Sequence, residues 1–91
     1  MENTDNKDVK ETLNIVAKNI KHFRVLKNIS QTDLGLKSNV APNYITYIEN
    51  ANRDFHISTL VSIAKGLDVP IYELFVNDRE EYLSKPRIDK K

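Results

Sequence analysis

Residues 30–50, "SQTDLGLKSNVAPNYITYIEN", decide how this chain folds. Ser30 with Asp33 three positions on is a helix start: the hydroxyl can accept the third amide while the carboxylate lies near the positive helix end, a weaker form of the Ser-x-x-Glu capping box. This predicts a helix over Gln31–Ser38. Asn39 then stands where the chain must turn sharply. Val40, an apolar residue in a polar corner, is expected to plug the angle between two helices. Pro42 suits the first turn of the next helix, where a missing N–H costs nothing and the preset φ helps. That helix, Pro42–Glu49, should bury Ile45 and Ile48 and leave Asn43, Tyr44, Thr46, Tyr47 and Asn50 partly or wholly outside.

Outward from this stretch the pattern stays helical. Upstream, Val9, Leu13, Val16, Ile20, Phe23 and Leu26 recur in steps of four and three, a single helical stripe. It should end at Asn28, a residue that tolerates the left-handed conformation. Downstream, "ANRDFH" reads as an irregular connection, and Ser58 is expected to cap a helix with Leu60, Val61, Ile63, Ala64 and Leu67 on a broad apolar face. "LDVP" ends it, and Pro70 opens a fifth helix with Ile71, Leu74 and Phe75 inward. That helix could run on through "VNDREEYLSK", where Tyr82 and Leu83 would extend its stripe. The expected organisation is a flexible segment over 1–8, a domain over 9–78 and a charged extension over 79–91, ending in the basic tail "PRIDKK".

Composition agrees with one small all-α domain. Ninety-one residues support a single core, and 30% charge with only two Gly and three Pro disfavours a turn-rich β fold. There is no cysteine, so neither a disulfide nor a thiolate site can reinforce the core. "MENTDNKDVK" lacks the apolar run of a signal peptide, and no stretch approaches the roughly 18 apolar residues of a membrane span. A cytoplasmic location is expected. Net charge is +1, so any nucleic-acid reading must rest on where particular side chains lie. There is no thiol, no Gly-rich phosphate loop and no Ser, His and acid set on a chain large enough to enclose a pocket, so an enzyme is not expected. His22 and His56 are isolated from other ligand types, and no metal, cofactor or small-molecule ligand is expected.

Two short helices joined by a tight turn, with the small Gly35 where the second crosses the first, make helix-turn-helix geometry. Such a pair lets the second helix stand proud of the body to enter a DNA major groove about 12 Å wide, while the first rests over the phosphates. The region from about Val16 to Phe75 resembles the Cro and phage-repressor family of five-helix DNA-binding domains, through "NIKHFRVLKNISQTDLGLKSNVAPNYITYIEN" and "ISTLVSIAKGLDVPIYELF". Within it the chain is most similar to the restriction-modification controller proteins, small dimeric regulators, whose Tyr-Ile, Ile-Glu, Asn-x-Arg and Ile-x-x-Leu spacing appears in "NYITYIENANRDFHISTL".

The resemblance implies that Asn43, Tyr44, Thr46 and Tyr47 face the groove of double-stranded DNA. Each is chemically suited: Asn bonds adenine bidentately, Thr bonds a base edge or touches a thymine methyl, and Tyr offers a ring and a hydroxyl. Gln31, Arg24, Lys37, Asn50 and Arg53 would hold phosphates and fix register. The chain departs from the family at Pro42, where a long polar residue is common, and at Asp54, whose charge would repel phosphate.

Structural roles compete for some of these residues. Tyr44 or Tyr47 could partly cover the core, Glu49 could be a structural acceptor near the first helix, and Lys18, Lys21 and Lys27 could form a solvated face. Phe55 and Ile57 could anchor the connection or a dimer contact. One such domain reads too few base pairs to be specific in a genome, so a homodimer on paired half-sites is expected, with Ile71, Tyr72, Phe75 and Val76 at its interface. The expected function is a sequence-specific transcription regulator, repressor or activator, acting on its own promoter, with RNA polymerase as a further candidate partner. The alternative is a protein-interaction module of the same fold, such as an antitoxin.

Overall fold

The computed structural model describes residues 6–50 and 54–77. Among them the protein is all-α, with four α-helices, Lys7–Leu26 (α1), Gln31–Ser38 (α2), Pro42–Glu49 (α3) and Ile57–Leu67 (α4), then a short 3-10 segment, Ile71–Phe75. Arg53, Tyr82, Leu83 and the 79–91 extension lie outside the described residues.

Local chemistry sets most of the boundaries. α1 begins two residues before its first apolar position because Asn6 Oδ1 accepts the amides of Asp8 (2.8 Å) and Val9 (3.3 Å). At α2 the capping box is complete: the Asp33 amide donates to Ser30 Oγ (2.9 Å) and the Ser30 amide to Asp33 Oδ2 (3.5 Å). α3 opens on Pro42, as expected.

The three turns that leave α1, α2 and α4 use Asn28, Asn39 and Asp68 at φ 59°, 58° and 62°. Each places the following amide on a carbonyl of the helix just ended: Ile29 on Arg24, Val40 on Gly35 and Val69 on Ala64. Short polar side chains thus take the left-handed positions usually given to glycine. Both glycines go instead to close packing. A Cβ on Gly35 would lie 2.6 Å from the Val40 carbonyl oxygen, and one on Gly66 would collide with Ser38 Oγ.

Ile20, Leu34, Ile45, Ile48, Ile63, Leu67 and Leu74 are fully buried in one cluster where α2 packs on α3 and α4 and α1 closes the other side. Burying each such side chain favours folding by about 1.5–3 kcal/mol. Val40 is half-buried against this cluster at the α2–α3 corner.

Five expectations are corrected. Ser58 does not cap α4: the helix starts at Ile57, His56 takes the extended cap conformation without a side-chain bond, and Ser58 lies inside the first turn. Phe55 and Leu60 stand at the two positions of a hydrophobic staple and pack in the same cluster, which fixes the start without a hydroxyl. Val61 is 43% exposed, off the buried stripe of Leu60, Ile63, Ala64 and Leu67, and Leu26 at the end of α1 is 66% exposed.

The fifth helix is a single 3-10 segment with Leu74 inward and Phe75 turned outward. Asn19 Nδ2 donates to the carbonyls of Leu74 and Val76, both at 2.9 Å, tying the end of the segment to α1. Val76 is extended, and the 3-10 segment ends before it.

Candidate nucleic-acid interface

At eight residues α3 is too short to persist by itself, so its neighbours must hold it. Ile45 and Ile48 anchor it in the core. Its far end is held by a polar chain that crosses three helices. Arg24 on α1 donates from Nε to Glu49 Oε2 (2.7 Å), from Nη2 to Glu49 Oε1 (3.1 Å) and from Nη1 to the Ile29 carbonyl (3.1 Å). Gln31 Nε2 on α2 donates to Glu49 Oε1 (3.0 Å), and Thr46 Oγ1 donates to Gln31 Oε1 (2.8 Å). Glu49, 4% exposed at its side chain, is the structural acceptor beside the first helix that the sequence suggested.

With Ile45 and Ile48 inward, Asn43, Thr46, Tyr47 and Asn50 fall at i, i+3, i+4 and i+7 on the opposite face. Asn43, Tyr47 and Asn50 are exposed, and Thr46 is half-exposed with its hydroxyl proton directed to Gln31. Tyr44 flanks this row. It is half-buried and packs against the core cluster, so its ring serves the fold whatever its hydroxyl does.

The phosphate candidates divide into two kinds. Lys37 in the last turn of α2 and Asn50 after α3 are exposed on the surface. Arg24 and Gln31 are engaged in the polar chain: three of the five guanidinium N–H groups and one of the two amide N–H groups are committed within the protein.

Away from α3, Tyr72 and Phe75 are 62% and 41% exposed, while Ile71 and Val76 are half-buried. Phe75 also borders an open, mainly apolar groove of about 330 Å³, lined with it by Val9, Leu13, Phe55, Ile57 and Leu60 and edged by Asp8 and Asp54. Among the described residues no three His, Cys, Asp or Glu come together as a metal site, and His22 makes an edge-on contact with Phe23. Likewise among them, no helix is long and apolar enough to cross a membrane.

Asn19 escaped the sequence reading. Its signal is a short polar residue three positions from Val16 on the face α1 buries, but its partners lie 55 and 57 residues away and no local pattern reveals them.

The Helix-turn-helix family matches residues 20–74, from the second half of α1 through the 3-10 segment. Control protein C.SmaI of Serratia marcescens is 34% identical over 67 residues, covering 74% of this chain and 76% of that protein. The solved restriction-modification controller C.AhdI from Aeromonas hydrophila superposes with a TM-score of 0.67 at 25% identity, over 69% of this chain and 96% of that one. The controller C.Esp1396I, solved bound to a 19 base pair DNA duplex, superposes at 0.66 with 39% identity over 70% of this chain and 85% of that one. With the capped α2, the turn at Asn39 and the outward row on α3, these matches show that the chain belongs to the helix-turn-helix family of DNA-binding transcription regulators, among the restriction-modification controller proteins.

Proposed function

We propose that the chain acts as a homodimer which reads a paired half-site operator through α3 and thereby regulates transcription from its own promoter. The observation that carries this reading is the row Asn43, Thr46, Tyr47 and Asn50, polar and outward on a helix whose other face is locked into the core. Asn43, Tyr44, Thr46 and Tyr47 are the proposed base readers. Lys37, Asn50 and Arg53, with the uncommitted N–H groups of Arg24 and Gln31, are the proposed phosphate contacts. The two-fold contact is assigned to Ile71, Tyr72, Phe75 and Val76, because an exposed apolar patch beside a small core favours self-association.

The protein works by binding rather than by catalysis, in the cytoplasm where bacterial operators are found. RNA polymerase is the proposed second partner when the operator adjoins a promoter. C.Esp1396I, which was solved on a DNA duplex, supports the DNA side of this reading.

Fluorescence anisotropy tests it, comparing duplex from upstream of the chain's own gene with scrambled duplex at several salt and protein concentrations. The expected result is binding at least about a thousandfold tighter to the native duplex, falling steeply with salt and steep in protein concentration. Equal, weak binding to both duplexes would reject that promoter as the target and favour other operators or a protein partner.

A further inference from the structure

The polar chain behind α3 also sets the direction of a hydrogen bond, and direction is what a base edge reads. Glu49 is bound in a two-pronged ion pair with Arg24, and its ionised carboxylate can only accept. The side-chain amide of Gln31 approaches Oε1 of that carboxylate at 3.0 Å and must present its nitrogen there. Its oxygen is therefore turned to Thr46. An amide oxygen can only accept, so the Thr46 hydroxyl, 2.8 Å away, must give its one proton to Gln31. We infer that the Arg24–Glu49–Gln31 chain makes Thr46 an acceptor-only reader: toward DNA it offers the lone pairs of Oγ1 and a methyl group, and no donor.

This rests on the proposed reading of DNA by α3 and deepens it by assigning a base class. In the major groove adenine and cytosine present exocyclic amino groups, which an acceptor satisfies, and thymine presents a methyl, which the threonine methyl can touch. Guanine presents O6 and N7, both acceptors. Thr46 thus favours adenine, cytosine or thymine and rejects guanine. Gln31 and Glu49 are positioning residues for specificity, although neither needs to touch a base.

The test profiles operator preference base by base for the full-length protein and two variants, by selection from a randomised duplex pool. Thr46→Val keeps the branched shape and removes the hydroxyl, so the position at which its profile changes is the one Thr46 reads. Wild type should disfavour guanine there by at least about fivefold. Gln31→Met removes the acceptor, releases the hydroxyl to donate, and should restore guanine at that position while weakening all sequences uniformly through any lost phosphate contact. A wild-type preference for guanine there, no position changed by Thr46→Val, or an unchanged profile in Gln31→Met would each overturn the inference.

Side-chain amide NMR of the DNA-free protein separates this outcome from failure of the DNA reading, and it serves if Gln31→Met does not fold. The Gln31 amide protons should exchange unequally, the one held by Glu49 more slowly, and their resonances should move in Thr46→Val. Free-glutamine exchange, with no response to Thr46→Val, would show that the relay is not formed. Loss of every base preference in wild type, with the relay intact by NMR, would overturn the inference together with the DNA reading.

Discussion

Arg24 and Glu49, 25 residues apart in sequence, meet in a two-pronged ion pair with Nε–Oε2 at 2.7 Å and Nη2–Oε1 at 3.1 Å. The contact fastens the end of α3 to α1. Glu49 is almost wholly buried and Arg24 mostly so, which makes loss of one partner worse than loss of both. Arg24→Ala should lower unfolding free energy by about 3–5 kcal/mol in urea titrations at neutral pH, because a buried carboxylate is left unpaired. The double change Arg24→Met with Glu49→Leu should recover most of that stability. Operator affinity should stay reduced in the double variant, since Gln31 no longer has a carboxylate to orient it.

Gly35 is required by the turn. The three atoms nearest a Cβ built there are all backbone: the Val40 carbonyl oxygen at 2.6 Å, and Pro42 N and Cα at 3.2 Å. No side-chain rotation relieves that contact, so the α2–α3 corner must open. Gly35→Ala should cost about 3 kcal/mol in thermal unfolding, near the upper end for overpacking. Because α3 moves with the corner, operator binding should fall further than the unfolded fraction explains.

Why some of this was legible in sequence and some was not follows from the range of the interactions. Ser30 with Asp33, Asn39 and Pro42 act within four residues, and α2 and α3 accordingly run over the expected spans. The buried pair Ile45 and Ile48 follows from helical spacing and leaves the outward row as its complement. Ser58 is not the cap because a hydroxyl cap there and a hydrophobic staple around His56, two residues earlier, compete to start the same helix, and packing of Phe55 and Leu60 wins. The end of the fifth element is set at long range: Asn19, on α1, holds the carbonyls of Leu74 and Val76, across residues separated by 55 and 57 positions. Arg24 and Gln31 read as exposed polar anchors by type, whereas their engagement with Glu49 depends on three helices meeting.

Ser38 faces Gly66 across the contact of α2 with α4. Its side chain is buried and, among the described residues, its hydroxyl has no hydrogen-bond partner. A buried, unsatisfied hydroxyl opposes folding, and alanine is the better helix former. Ser38→Ala should therefore stabilise the protein by about 1 kcal/mol, read as a higher thermal midpoint with unchanged operator affinity. A loss of stability would show that the hydroxyl is satisfied in solution.

Asn19 connects the core to the surface proposed for dimerisation. Both protons of its amide nitrogen are used, one on the Leu74 carbonyl and one on that of Val76, so one side chain pins the backbone on either side of Phe75 while Leu74 anchors the segment in the core. Asn19→Ala should cost about 2–3 kcal/mol, from two lost bonds and carbonyls left poorly solvated. Asn19→Asp, the same shape but an acceptor facing two acceptors, should cost at least as much. Sedimentation equilibrium should show weaker self-association in both, because the apolar patch is no longer held in one geometry. Tyr72→Ala provides the contrast: Tyr72 is 62% exposed and contributes little to the monomer's core, so its removal should weaken the dimer while leaving unfolding at high dilution unchanged. If Asn19→Ala lowers stability and self-association is untouched, the two-fold contact lies elsewhere, and the apolar groove lined by Ile57 and Phe55 becomes the surface to alter next.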